Sequence, residues 1–170
     1  GKTRKPGVSV TFDGKELIQN TDYTVKYENN INAGTAAVVV TGKGDFTGTV
    51  RESFEIVPRK IKPDVTLSKT SFTYNGKSQK PAVTVKDHGT KLASSNYTVT
   101  CLSGDKASDC KNAGTYKVTV KLKGNYSGSK AVSFRIDPRG TTLTGLSAAS
   151  GAFTASWKKQ TAQTTGYQIQ

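Results

Sequence analysis

The sequence predicts an all-β chain made of small β-sandwiches in tandem, and three observations carry that prediction. Apolar residues alternate with polar ones at Val8 and Val10, at Val83 and Val85, along Tyr23, Val25 and Tyr27, and at Tyr97 and Val99. A period of two buries one face of a strand and leaves the other wet. Turn formers punctuate the chain at short intervals, as Asp13-Gly14, Asn32-Ala33-Gly34, Asn75-Gly76 and His88-Gly89. The chain also aligns with itself, which outranks any single motif. No segment shows a convincing helical period.

The self-alignment defines the elements in order. Gly1 to Pro6 (GKTRKP) matches Gly76 to Pro81 (GKSQKP), and Asp22-Tyr23-Thr24-Val25 matches Asn96-Tyr97-Thr98-Val99. Asn32-Ala33-Gly34-Thr35 matches Asn112-Ala113-Gly114-Thr115, and Gly44 to Gly48 (GDFTG) matches Gly124 to Gly128 (GNYSG). Ser53 to Arg59 (SFEIVPR) matches Ser133 to Arg139 (SFRIDPR). The order of the blocks is the same in both copies. Residues 1–58 form the first repeat and residues 59–138 the second. The second opens with a strand expected over Val65 to Tyr74, and the first begins at the Gly-Lys that follows this strand in its sister. The first copy therefore lacks an opening strand; an exposed gap of that kind invites strand addition or aggregation, so a trimmed fragment is expected.

The connectors Val57 to Pro63 and Asp137 to Gly140 are short and carry proline. They are expected to act as stiff joints. After Gly140 the pattern matches neither repeat. Leu143 to Leu146, Gly151 to Trp157 and Thr165 to Gln170 together look like the opening of a fibronectin type III domain, with Trp157 as its core residue. Residues 139–170 hold about a third of such a domain.

Composition narrows the class. Of 170 residues 34% are hydrophobic and none is Met, so a cut point is expected at residue 1. No apolar run approaches the roughly 18 residues that a membrane helix needs. The net charge is +13, distributed unevenly. Residues 1–58 carry seven basic and seven acidic side chains, whereas residues 59–170 carry 18 and five. A basic surface attracts anionic polymers. Since the first repeat folds without net charge, the fold itself does not require the excess. Lys121, Lys123 and Lys130 are the candidate contacts for an anionic glycan or wall polymer. No exposed aromatic ladder accompanies the charge, so nucleic acid is not expected as a partner.

Catalytic chemistry finds little to work with. His88 is the sole histidine and lies in an Asp-His-Gly turn that aligns with Asp13, whereas nucleophilic catalysis needs a base beside the nucleophile. The acids are few and scattered, with no pair kept between copies for glycoside cleavage. Gly42 to Gly48 suggests a phosphate loop until the following segment, Val50 to Ile56, reads as a strand and not a helix. Phe46 and Tyr126 then read as repeated structural plugs. Asn96-Tyr97-Thr98 and Asn125-Tyr126-Ser127 match the glycosylation sequon, but both fall on repeat positions. A Lys–Asn isopeptide bond lacks a matched Lys, Asn and acid in both copies. No catalytic, cofactor or metal residue is assigned, and no cofactor is expected.

The pattern Lys80-Pro81-x-Val83-x-Val85, Asn96 to Val99, Asn112 to Thr115 and Gly124 to Gly128 resembles the bacterial immunoglobulin-like surface repeats of Gram-positive, clostridial-type proteins. The first copy keeps it as Lys5-Pro6, Asp22 to Val25, Asn32 to Thr35 and Gly44 to Gly48. The resemblance implies immunoglobulin-like sandwiches arranged as beads on a string, outside the cell, with no catalytic residues. It implies a spacer or stalk region, with adhesion, wall-polymer binding or service to a secreted glycan-degrading enzyme as alternatives. Partners would be other domains of the same polypeptide, and no insertion into a membrane is expected. Asn112-x-Gly114-x-Tyr116 also resembles the immunoglobulin pattern in which a tyrosine closes a hydrogen-bonded corner. Ala36 stands at that position in the first copy, so the second copy's corner stays open.

Cys101 and Cys110 are the only cysteines. Cys101 aligns with Tyr27 and Cys110 falls near Asn30, across a loop longer than the first copy's. They are expected on facing strands at the base of an enlarged hairpin, close enough for a disulfide. Two thiols without His or further Cys make a poor zinc site. Asp105 and Asp109 offer too few oxygens for Ca²⁺. A disulfide fits an oxidising, extracytoplasmic location, and the tip it closes is the first place to look for a specialised surface.

Overall fold

In the computed structural model, which describes residues 1–160, nearly all regular structure is β-strand. The chain divides into two compact units. The first comprises Gly1–Ile61 together with Ala93–Tyr97 and Leu122–Gly128. The second comprises Lys62–Leu92, Thr98–Lys121 and the chain from Ser129 onward.

In the first unit, β1 (Thr11–Phe12) and β2 (Lys15–Glu16) form a hairpin. Its two central residues, Asp13 and Gly14, have φ of 48° and 76°, the positive values that a two-residue turn matching strand twist requires. Then β3 (Tyr23–Glu28), β4 (Gly34–Gly42) and β5 (Thr49–Ile56) build an antiparallel sheet with β4 central. Short β6 (Arg59–Lys60) runs parallel to Tyr126 and Ser127. Tyr23, Ala36 and Ala37 are buried here, but Val38, Val39 and Val40 are only half-buried. Residues 1–6 are tied down by the Arg4 N–H to the Asn30 carbonyl at 2.8 Å and by the Asn30 amide to the Arg4 carbonyl at 2.7 Å. Val8 and Val10, whose alternation predicted a strand, lie outside the strands, although the Val10 carbonyl accepts from the Leu17 N–H at 2.8 Å.

In the second unit the matching segment does have a partner. The chain runs through β7 (Asp64–Leu67), β8 (Ser71–Thr73), β9 (Val83–Asp87), β10 (Thr90–Lys91), β11 (Tyr97–Ser103), β12 (Lys106–Ala107) and β13 (Gly114–Leu122). Next come β14 (Tyr126–Ser127), which belongs to the first unit and pairs there with β6, and β15 (Ser129–Asp137). One sheet has the order β10-β9-β7 and the other β12-β11-β13-β15-β8. Cys110, Tyr116, Val118, Phe134 and Ile136 form a buried cluster, with Leu67 and Val83 of the first sheet and Phe72 of the second packed against it. Side chains of both sheets thus meet in one core, the arrangement of a sandwich.

The opening strand of this unit differs from the single strand expected over Val65 to Tyr74. It is two strands in two sheets: β7 pairs antiparallel with β9, and β8 pairs parallel with β15. The inward positions Val65 and Leu67 have odd numbers, whereas Phe72 and Tyr74 have even ones. A continuous strand would point one of these pairs outward. The polar run Ser68-Lys69-Thr70 makes the crossing instead, held by the Ser68 N–H to the Ala82 carbonyl and by Thr70 accepting from the Arg135 N–H.

Finally β16 (Leu143–Ala149) and β17 (Ala152–Trp157) pair as an antiparallel hairpin closed at Gly151. Leu146, Ala148, Phe153 and Ala155 share one face by register, and Leu146 and Phe153 are well exposed. Trp157, expected as a core residue, is 37% exposed. The strand start expected over Thr165 to Gln170 lies outside the described residues.

Candidate functional site

The enlarged tip is a tight hairpin with a buried anchor. β11 and β12 pair through Leu102 with Ala107 and Ser103 with Lys106. Gly104, at φ 59°, makes the turn between them. The Ser108 N–H continues the ladder to the Cys101 carbonyl at 2.9 Å. Pairing then stops. Cys110 lies beyond β12 in a left-handed conformation, φ 56°, and not on a facing strand as its spacing suggested. The left-handed residue turns the chain back so that its side chain enters the core. Three groups hold Cys110 there: its N–H bonds to Ser108 Oγ at 3.1 Å, its carbonyl accepts from the Gln79 N–H at 2.9 Å, and a disulfide joins it to Cys101. Cys110 is fully buried. Closing a loop of about ten residues contributes about 2.7 kcal/mol on the chain-entropy account. Asp105 and Asp109 are both exposed. Among the described residues no three His, Cys, Asp or Glu side chains come together as a metal site.

The tyrosine that opens the next strand forms the corner that the sequence left open. Tyr116 Oη donates to the Asn112 carbonyl at 2.6 Å. The ring stacks on Phe134, with centroids 5.3 Å apart, and Phe134 in turn meets Phe72 edge-to-face at 5.7 Å. The corner therefore joins the loop after Cys110 to the aromatic centre of the core.

The register decides where the candidate lysines point. β13 alternates Tyr116, Val118, Val120 and Leu122 inward with Thr115, Lys117, Thr119 and Lys121 outward. Lys121 pairs with Ser129 and Val120 with Lys130, so Lys130 has the parity of the core face and Lys121 that of the outer face. Lys123 lies past the end of β13, its N–H bonded to the Asn96 carbonyl at 2.8 Å. All three are exposed but they do not share a face. The register gives Lys121 two other outward companions, Lys117 on the same strand and Arg135 opposite Thr115. Arg135 also pairs with Asp137 at 3.1 Å. Lys117 and Lys121 stand about 13 Å apart at the usual strand rise, a spacing suited to an extended polyanion. The missed signal was the parity of the strand, since Lys117 and Lys121 share it and Lys130 does not.

The other sequence candidates take structural places. His88 and Gly89 have φ of 46° and 84°, repeating the Asp13-Gly14 turn, and His88 Nδ1 lies 2.8 Å from Asp87 Oδ1 at an exposed site. The Gly42 to Gly48 loop joins β4 to β5, with the Gly42 N–H bonded to the Gly48 carbonyl at 3.0 Å. Its sister repeats the bond from the Leu122 N–H to the Gly128 carbonyl at 2.9 Å. Phe46 packs edge-to-face on Phe12 at 5.6 Å, whereas Tyr126 lies under the Arg59 guanidinium at 5.4 Å. The Asn125 side chain, the Asn of a sequon, accepts from the Ala33 N–H at 2.6 Å and donates to Asn32 Oδ1 at 2.9 Å. A cavity of about 90 Å³ beside Cys101 and Phe134 falls well short of the few hundred Å³ typical of small-molecule sites.

Comparison with known proteins gives one result. The family model of the MBG domain, a bacterial surface-associated domain family, matches residues 63–139. No curated protein and no solved structure matches the chain.

Proposed function

We propose that the chain is a non-catalytic spacer region of a bacterial surface protein, in which immunoglobulin-like sandwiches hold another domain of the same polypeptide away from its anchor. The observation that carries the reading is the extent of the MBG match: residues 63–139 coincide with the sandwich that contains β7 to β15. A domain with a closed aromatic core, a stapled tip and a corner bond is suited to bear load more than to open around a ligand. The extracellular setting is supported by the disulfide. On the same reading residues 1–58 are a second such domain, residues 139–170 begin a fibronectin type III-like one, and the host is Gram-positive. The test is display on a bacterial surface, with the chain inserted between an anchor and an epitope. Antibody access to the epitope should rise relative to a direct fusion of anchor and epitope. Equal access would refute the spacer role.

A second reading, contact with an anionic wall polymer or glycan, is favoured by Lys117 and Lys121 on one exposed strand face. It predicts retention on an immobilised polyanion that weakens with salt, because exposed charges are screened beyond about 10 Å at 0.1 M ionic strength.

A further inference from the structure

The two copies of the repeat share one sheet register but not one charge. On the outer face of β13 and β15, each of three cations stands directly across the ladder from a hydroxyl. Lys121 faces Ser129, Lys117 faces Ser133 and Arg135 faces Thr115. All six residues are exposed. Partners of this kind hold their Cβ atoms about 5 Å apart, so a cation and an O–H can reach the two free oxygens of one oxyanion. Neither Lys117 nor Lys121 is in an ion pair among the described residues. The outward positions of these strands hold a single acid, Asp137, at the end of the row. Arg135 bonds it through Nε at 3.1 Å, which leaves the terminal amino groups of the guanidinium for another acceptor.

The first unit serves as a control on the fold. The same register puts Thr41 across from Thr49, Ala37 from Ser53 and Thr35 from Glu55. Each pair keeps a hydroxyl and none has a cation. Lys26 and Arg51, the basic residues on that face, lie 3.6 and 3.3 Å from the Glu28 carboxylate. The uncompensated charge therefore belongs to the second copy and not to the fold.

Spacing narrows the ligand. Lys121 and Lys117 stand about 13 Å apart along β13, and Lys117 and Arg135 are diagonal neighbours about 7–8 Å apart. In a three-carbon polyol phosphate, successive phosphorus atoms are six bonds apart, about 7 Å at the reach of an extended chain. The row matches two such units and then one. Phosphodiester charges lie in the chain itself, so each can approach a flat sheet. In a linear polyuronate the carboxylates are pendant and turn to alternate sides, which leaves half of them facing away. The outward positions of β13 and β15 also hold no aromatic residue on which a base could stack.

We propose, on the footing of the polyanion reading, that the outer face of β13 and β15 binds a linear polyol phosphate. The polymer lies along Lys121, Lys117 and Arg135, and Ser129, Ser133 and Thr115 donate to the same phosphates.

The test immobilises a synthetic decamer of glycerol phosphate and measures binding of the whole chain as salt is varied. Binding should saturate at low salt. The logarithm of affinity should fall against the logarithm of salt with a slope of about −2, as three contacts to a single-stranded polyanion give. Lys117→Gln with Lys121→Gln should weaken binding at least tenfold and cut the slope by more than half. Lys86→Gln with Lys91→Gln removes the same charge from the other sheet and should weaken binding less than twofold. Polygalacturonate and oligothymidylate of equal charge should each compete at least tenfold less well than the free decamer. Equal losses in the two double variants overturn the site. Equal competition by polygalacturonate overturns the phosphodiester ligand while the broader polyanion reading stands. Equal competition by oligothymidylate gives the face to nucleic acid and likewise overturns the proposal. A chain retained by none of the three polymers removes the proposal and the polyanion reading together. The competition arms use the parent chain alone, and all four lysines are exposed, so both variants should keep its midpoint in denaturant.

Discussion

Tyr116 is bonded through its hydroxyl to the carbonyl of Asn112, four residues upstream, while its ring stacks on Phe134 in the buried centre of the second unit. One side chain thus fixes both a loop and a core. Tyr116→Phe keeps the ring and removes the bond, leaving the Asn112 carbonyl without its donor. The expected loss is about 1 kcal/mol, read as a lower midpoint in denaturant with an unchanged slope. Tyr116→Ala should cost about 3–5 kcal/mol, as large aromatic truncations do. Equal stability of Tyr116→Phe and the parent chain would remove the corner from the account.

The Cys101–Cys110 disulfide should appear as a gain of two hydrogens in intact mass on reduction. Reduction, or Cys101→Ser with Cys110→Ser, should lower the stability of the second unit by roughly 2–3 kcal/mol. Amides of the first unit's β3 to β5 should keep their exchange protection. A mass unmoved by reductant contradicts the bridge.

Phe72 tests the importance of β8. It meets Phe134 edge-to-face, and without it the outer edge of β15 resembles that of β5. Phe72→Ala should destabilise the second unit by about 3–4 kcal/mol. Amide exchange should quicken at Arg135, whose N–H is bonded to Thr70. A loss under about 1 kcal/mol would mean that the strand is held by its backbone bonds alone.

Charge reversal separates the lysines. Lys117→Glu with Lys121→Glu removes two outward cations on one strand and should lower the salt needed to elute the chain from an immobilised polyanion. Lys130→Glu changes net charge in the same direction on the other face, and its effect should be less than half of that per residue. Equal effects per charge would show that net charge, not this face, governs retention.

Much of the fold could be read from residue order. Alternation located β3, β9 and β11, and paired glycine or left-handed turn residues located the hairpins at Asp13-Gly14 and His88-Gly89. Two cysteines in the whole chain left one intrachain pairing. Even the division of the opening strand was present in the numbering, since Val65 and Leu67 lie out of phase with Phe72 and Tyr74. A phase slip alone does not say where the second half goes. The candidate site was less legible. Lys121 and Lys130 are near neighbours in sequence and lie on adjacent strands, but their facing depends on which residue pairs with which.

By itself the sequence determined the repeat, the strands and turns within it, and the cysteine pair, because alternation, turn formation and loop closure act over a few residues at a time. Only the tertiary structure decided that β8 lies parallel on β15, that Tyr116 closes on Asn112, and that Phe134 and Ile136 are sealed beneath the seated strand. Ser71 and Arg135 lie 64 residues apart in the numbering. Their union depends on the hydrogen-bonding capacity of a sheet edge and the apolar surface beneath it, neither of which exists until the sheet has formed.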